Sequence, residues 1–328
     1  MNAAVLGGGS WGTALAAHLA RSGHRTRLWL RREDIARGIN EQARNPDYLP
    51  GVKLPTTLSA TTAFATALED AATVFVVIPS PSCREVYARL REQTSSGTAL
   101  VSATKGIELH SLKRMSEVAA EELPGWPFVA LSGPSFALEV AREQPTVVVL
   151  ASADEAVAAR VQHELSGRTL RAYTSSDVVG VELAGALKNV IAIAAGILDG
   201  LGYGHNIAAA LMTRGLAEIG RLAEALGGRP DTLAGLAGLG DLVLTCTGAL
   251  SRNRRLGVAL GKGLTLEQAL AEMTMVAEGV GTARAACDLA QRVGVELPIA
   301  EQMRAVLYEQ RSPRAAVEQL MLRRLRSE

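Results

Sequence analysis

A chain of 328 residues, 48% of them hydrophobic, can bury a sizeable core and is long enough for two domains, which excludes a disordered polypeptide. Lys and Arg number 34 against 33 Asp and Glu, and the formal charge of +1 leaves no basic field to recruit nucleic acid or an anionic membrane. Cys83, Cys246 and Cys287 are an odd set at wide, irregular spacing, which argues against a disulfide framework or a zinc site and fits a reducing cytoplasm. No basic segment precedes the N-terminal apolar residues, so no signal peptide is expected. Every apolar run is interrupted before about 18 residues, so no stable membrane insertion is expected either.

In chain order, Asn2 to Leu6 reads as a short strand. Gly7-Gly8-Gly9-Ser10-Trp11-Gly12 follows, then a helical pattern from Thr13 to Arg21 closed by Gly23. Strand, G-x-G-x-x-G and helix in that order form a dinucleotide fingerprint. Gly7 permits the tight turn, Gly9 lets the backbone approach a pyrophosphate, and Gly12 lets helix and strand pack closely. The helix N-terminus offers unpaired N–H groups and a partial positive charge to the phosphates. The second strand, Thr26 to Leu30, ends at Arg31-Arg32. A strict NAD enzyme places Asp or Glu there to hold the ribose, whereas arginine accommodates a 2′-phosphate. Glu33 and Asp34 come one or two positions later, so NADP is expected to be modestly preferred with NAD accepted.

Further strands are expected at Thr73 to Ile78, Ala99 to Ala103, Phe128 to Leu131 and Thr146 to Leu150, the last preceding a helix over Glu155 to Leu165. Apolar strands alternating with helices predict a parallel sheet covered on both faces. Ligands of such sheets gather beyond the carboxyl ends of the strands. Lys105 and the Gly133-Pro134-Ser135 loop fall at those ends and are candidate site residues by position.

From about Ser175 helical spacing takes over. The predicted organisation is a Rossmann-type doubly wound α/β domain over 1–178, binding the dinucleotide, and an all-α domain over 179–328, holding the substrate and the catalytic group. Lys188 lies in the most apolar long stretch, with Val181, Ala184, Gly185, Ile191 and Ala192 as its face-mates. A lysine is rarely buried without a partner; burial favours its neutral amine, the form that exchanges protons near neutral pH. A lysine snorkelling from a core helix to the surface is the other reading of this position. Asp241 and then Ser251-Arg252-Asn253-Arg254-Arg255 form a polar cluster in apolar surroundings. Ser251 is expected to cap a helix, and an arginine in its first turn makes sense where an external anion sits at that N-terminus.

These motifs together resemble the bacterial-type NAD(P)-dependent glycerol-3-phosphate dehydrogenases nearly end to end. The resemblance is carried by Gly-Gly-Gly-Ser-Trp-Gly-Thr-Ala-Leu-Ala (7–16), Ala-Thr-Lys-Gly (103–106), Leu-Ser-Gly-Pro-Ser-Phe-Ala (131–137) and Glu-Leu-Ala-Gly-Ala-Leu-Lys-Asn-Val (182–190). Gly-Leu-Gly-Asp-Leu-Val-Leu-Thr-Cys-Thr (238–247), Ser-Arg-Asn-Arg-Arg (251–255) and Val-Ala-Glu-Gly-Val (276–280) complete it. The resemblance implies interconversion of sn-glycerol 3-phosphate and dihydroxyacetone phosphate, feeding glycerophospholipid synthesis. It implies Lys188 as the proton acceptor and Lys105, Gly133, Ser135, Asp241, Ser251, Arg252 and Asn253 as substrate-binding positions. It places Ser10, Trp11, Arg31, Arg32, Tyr48, Lys105, Ala137, Arg252, Val276 and Glu278 at cofactor contacts. Gly248-Ala249-Leu250 is more apolar than the polar stretch associated with the family, so the loop there is expected to differ in shape.

Two other readings compete. A β-hydroxyacid dehydrogenase shares the domain plan and a catalytic lysine, but places an asparagine several residues after that lysine and needs no phosphate site. A non-catalytic NADP-sensing regulator could dispense with Lys188. The Gly- and Ala-rich helices permit the close subunit packing of a homodimer.

Overall fold

The computed structural model describes residues 1–94, 97–273 and 275–324. The chain forms two compact units, one of Met1–Lys105 with Lys113–Val181, the other of Gly106–Leu112 with Glu182–Glu328.

The first unit is built on eight strands: β1 (Asn2–Leu6), β2 (Arg25–Trp29), β3 (Ser59–Thr61), β4 (Thr73–Val76), β5 (Ala99–Ser102), β6 (Phe128–Ser132), β7 (Thr146–Ala151) and β8 (Leu170–Ser175). Their order in the sheet is β3-β2-β1-β4-β5-β6-β7-β8, so the first six follow the doubly wound arrangement. Both faces are covered, and the period of two along a strand divides the side chains between them. Ala3 and Val5 of β1 join one core with Leu15, Leu19 and Phe75. Ala4 and Leu6 join the other with Val74, Val76 and Tyr87.

The expectation of a wholly parallel sheet is corrected at one place. β6 and β7 run antiparallel, with Leu131 opposite Leu150 and Ser132 opposite Val149. A parallel return needs a crossover of about a dozen residues or more, usually a helix lying across the sheet. Between Ser132 and Thr146 the chain forms only the one-turn Ala137–Ala141 helix, which packs on the Ser10–Arg21 helix rather than spanning the strands. Two strands carried no continuous apolar signal. β3 is three residues long, and the edge strand β8 alternates buried Leu170 and Ala172 with exposed Arg171 and Tyr173.

The second unit is helical among its described residues. Val178–Gly200 is its central helix, capped where the Gly180 N–H donates to Asp177 Oδ1 at 2.8 Å. With a mean hydropathy of 1.7 over an 18-residue stretch it is long and apolar enough to cross a bilayer, but 83% of that stretch is buried inside the protein, the pattern of a core helix. Helix Arg252–Gly261 lies directly against it through facing glycines. A Cβ on Gly257 would overlap the Ile193 carbonyl oxygen, and one on Gly196 the Arg254 carbonyl oxygen. Because neither partner atom belongs to a side chain that could turn away, Gly257→Ala is expected to destabilise the helical unit by at least about 1–3 kcal/mol, the usual cost of overpacking. Urea unfolding followed by circular dichroism checks this; an unaltered midpoint would mean that the two helices can separate without loss. Elsewhere in this unit, buried Glu218 shares the single Ile299 N–H between its two carboxylate oxygens, at 2.8 and 3.0 Å, at the start of helix Pro298–Tyr308. Burial outweighs those bonds and pushes its carboxyl up to about 7.

Candidate active site

In the first unit the glycine loop has the geometry its sequence requires. Gly7 has φ +127°, a conformation that L residues rarely adopt, and a Cβ on it would overlap the Val77 carbonyl. A Cβ on Gly12 would overlap the Gly7 carbonyl, whereas one on Gly9 would meet nothing within 4 Å. Turn and packing therefore consume Gly7 and Gly12, while Gly9 keeps open space against the backbone. The Ser10–Arg21 helix that follows has no side-chain cap and no acidic residue in its first turn. The positive end of its dipole favours an external anion, and the buried Trp11 Nε1 has no hydrogen-bond partner among the described residues. The residues present thus fit a dinucleotide pyrophosphate.

Two residues outside the fingerprint hold this loop. Asn45, fully buried, donates from Nδ2 to the Gly8 carbonyl at 3.2 Å and to Thr13 Oγ1 at 2.9 Å. Ser10 Oγ donates to the Tyr48 carbonyl at 2.6 Å. Sequence reasoning missed Asn45, because nothing local marks an amide in an irregular segment as the clamp of a distant turn. At the carboxyl ends of β5 and β6, Lys105 Nζ donates to the Gly133 carbonyl at 3.2 Å and Ser135 Oγ to the same oxygen at 3.0 Å. Lys105, Gly133 and Ser135 are thereby brought together. Ala137, which opens the next short helix, packs on the same core as Trp11 and Tyr48.

In the helical unit the snorkelling alternative for Lys188 is settled. The residue is 5% exposed and forms an ion pair with Asp241, itself 1% exposed. Burial disfavours the ammonium and the adjacent carboxylate favours it, so a proton gained or lost here is felt directly by its partner. Asp241 opens helix Asp241–Thr247 immediately after a π-helical turn, Leu236–Gly240. Such turns recur at functional sites because the wider turn re-aims the residues beyond it. A Cβ on Gly238 would overlap the Leu233 carbonyl, so that turn depends on glycine. Thr245 Oγ1 donates to the Asp241 carbonyl at 2.6 Å and lies 3.4 Å from Oδ1. Cys246, next in the chain, is buried; desolvation pushes its thiol up to about 12 and keeps it from acting as a nucleophile.

The cluster at 251–255 divides its work. Ser251 Oγ accepts from the Arg254 N–H at 3.2 Å, capping Arg252–Gly261. Asn253 is buried; its Nδ2 donates to Asn189 Oδ1 at 3.0 Å and its Oδ1 accepts from the Gly279 N–H at 3.0 Å. Asn253 therefore ties three helices together, with Asn189, the residue after Lys188, as its partner. Arg254 is held by Asp199 at 2.6 Å. Arg252, in the first turn with no acidic neighbour there, has no ion-pair or hydrogen-bond partner among the described residues. A guanidinium placed so at a helix N-terminus could hold a phosphate. Glu278 begins helix Glu278–Val293 beside Gly279, and Val276 ahead of it is exposed.

Residues 2–158 match the family model described as NAD-dependent glycerol-3-phosphate dehydrogenase N-terminus, and residues 177–318 the corresponding C-terminus. The chain belongs to the NAD-dependent glycerol-3-phosphate dehydrogenase family. The C-terminal match opens at Asp177, the residue that caps the helix carrying Lys188. Among curated relatives, glycerol-3-phosphate dehydrogenase [NAD(P)+] of Geobacter sulfurreducens is 53% identical, covering 99% of this chain and 98% of its own. That of Citrifermentans bemidjiense is 51% identical with the same coverage. The crystal structure of glycerol-3-phosphate dehydrogenase from Coxiella burnetii superposes with a TM-score of 0.95 at 42% identity, over 98% of this chain and 99% of that one. A ketopantoate reductase structure from Ralstonia eutropha, at 16% identity and a TM-score of 0.61, shares the fold alone.

Proposed function

We propose that this chain interconverts sn-glycerol 3-phosphate and dihydroxyacetone phosphate, with NAD or NADP as the redox partner. One observation carries the reading: the buried Lys188–Asp241 pair stands in the same helical unit as the unpaired Arg252 at a capped helix N-terminus. A proton-handling group and a phosphate-binding group together are what a phosphorylated alcohol requires. Residues 1–178 serve the dinucleotide and residues 179–328 the substrate.

When bound, the nicotinamide carries the hydride. In oxidation the neutral Lys188 amine accepts the proton leaving the substrate hydroxyl; in reduction the ammonium returns it to the carbonyl oxygen. Asp241 offsets the ammonium so that the charge created on Lys188 is not isolated in an apolar interior. Arg252 and the free N–H groups of its helix hold the substrate phosphate, Ser251 caps that helix, and Asn253 fixes it to the helix of Lys188. Lys105, Gly133 and Ser135 line the substrate side of the sheet. Gly7, Gly9, Ser10, Trp11 and Gly12 hold the pyrophosphate, Arg31 and Arg32 the adenosine ribose, and Tyr48, Lys105, Ala137, Arg252, Val276 and Glu278 complete the cofactor contacts.

We place the protein in the cytoplasm, supplying glycerol 3-phosphate for glycerophospholipid synthesis. Its three cysteines are buried and unbridged, which suits a reducing compartment. The purified protein is expected to oxidise NADPH and, somewhat less efficiently, NADH when dihydroxyacetone phosphate is added. Absence of turnover with both cofactors would overturn the assignment.

A further inference from the structure

The two arginines that end β2 differ in their surroundings. Arg31 has no partner among the described residues. Arg32 is held from three directions: its Nη1 donates to Asp47 Oδ2 at 2.5 Å, its Nε to Asp34 Oδ1 at 3.1 Å, and its Nη2 pairs with Asp34 Oδ2. Asp34 is its neighbour in the helix Glu33–Gln42, but Asp47 comes from the irregular segment beyond that helix. Exposed ion pairs usually contribute little because both side chains wander.

Asp47 does not wander freely, because its backbone is fastened on both sides. Asn45 is clamped to Gly8 and Thr13, the Tyr48 carbonyl takes the Ser10 hydroxyl, and the Leu49 N–H closes a turn on the Asn45 carbonyl at 2.8 Å. The same bonds that hold the glycine loop thus present a carboxylate to Arg32. The hydrogen bonds that Arg32 donates to Asp34 and then to Asp47 raise the guanidinium above its ordinary value, and Arg32 in turn holds Asp34 below the usual carboxylate range.

We infer that Asp47 is a specificity-determining residue for the cofactor: together with Asp34 it occupies and neutralises Arg32, so that a 2′-phosphate meets one free arginine rather than two. This rests on the reading of Arg31 and Arg32 as the adenosine-ribose site. Local charge makes the point. Arg31 and Arg32 are opposed by Glu33, Asp34 and Asp47, and a 2′-phosphate bound there must displace Asp47 from Arg32 or accept its repulsion. A cofactor lacking that phosphate faces neither cost. The carboxylate of Asp47 therefore narrows the preference for NADP over NAD that the two arginines would otherwise create.

The test uses fragments of the cofactor, so that binding is read without turnover. Affinities for adenosine 2′,5′-bisphosphate and adenosine 5′-monophosphate are measured by calorimetry on the full chain, and their ratio is compared among variants. Asp47→Asn keeps the shape and removes the charge. It is expected to raise the ratio in favour of the bisphosphate by about threefold to tenfold, the effect of one unit charge a few ångströms away in water. The gain should shrink as salt is raised, because these groups are exposed. Arg32→Ala, which leaves Asp34 and Asp47 unopposed, is expected to lower the ratio. A ratio unaltered in Asp47→Asn but lowered in Arg32→Ala would overturn the role of Asp47 and leave the arginine site standing. A ratio unaltered in both would overturn both.

Discussion

Lys188→Ala is expected to lower kcat by about 10²–10⁴-fold, the usual contribution of a general acid–base group, while NADPH still binds. The reason is local. In the wild-type protein the amine is buried in an apolar helix against Asp241, and alanine leaves no group there to exchange the substrate proton. The same change strands the Asp241 carboxylate, and an uncompensated buried charge costs about 3–5 kcal/mol. The stability of Lys188→Ala therefore has to be measured beside its rate. The double variant Lys188→Ala with Asp241→Asn removes the stranded charge and should recover much of that stability without recovering turnover. A folded Lys188→Ala protein that retains wild-type kcat would remove Lys188 from the proton transfer.

Arg252→Ala is expected to reduce kcat/KM for dihydroxyacetone phosphate by roughly 10- to 100-fold, since hydrogen bonds to charged groups contribute roughly 1.5–3 kcal/mol. Neither of the two residues that follow it replaces it, because Arg254 is engaged by Asp199 and the neutral Asn253 amide by Asn189 and Gly279. The discriminating comparison is unphosphorylated dihydroxyacetone, a poor substrate whose kinetics should be altered far less. Equal losses with both substrates would mean that Arg252 serves the architecture rather than the phosphate. Isothermal titration with inorganic phosphate gives a second reading of the same contact, and its affinity should fall in the variant.

Much of this protein was legible in its amino acids, and the legible parts share a physical basis. The fingerprint at Gly7–Gly12 depends on backbone conformations and close approaches that only glycine permits, so residue identity at each position carries the information. Helix Glu155–Leu165 has its Asp154 cap written beside it, with Asp154 Oδ1 accepting from Ala156 and Val157. The apolar runs of β1, β4 and β5 follow from burial on both faces of a sheet. Ser251 as a cap and Asp241 as a partner for a lysine were open to inference because each is a polar residue in apolar surroundings.

What the sequence alone determined, then, was the doubly wound sheet, the helical second half, the family, and the candidate proton and phosphate groups, because periodicity, glycine placement and capping act over a few residues. Only the tertiary structure decided between a snorkelling and a paired Lys188, made Asn253 a tie between helices, and brought Asn45 to the glycine loop and Asp47 to Arg32. It also decided the antiparallel entry of β7 and the packing of Gly106–Leu112 with the helical unit. Each of these depends on which distant group arrives to satisfy a buried donor, acceptor or charge. A buried polar residue announces that it needs a partner, but which of several distant candidates supplies it is settled only when the chain closes around it.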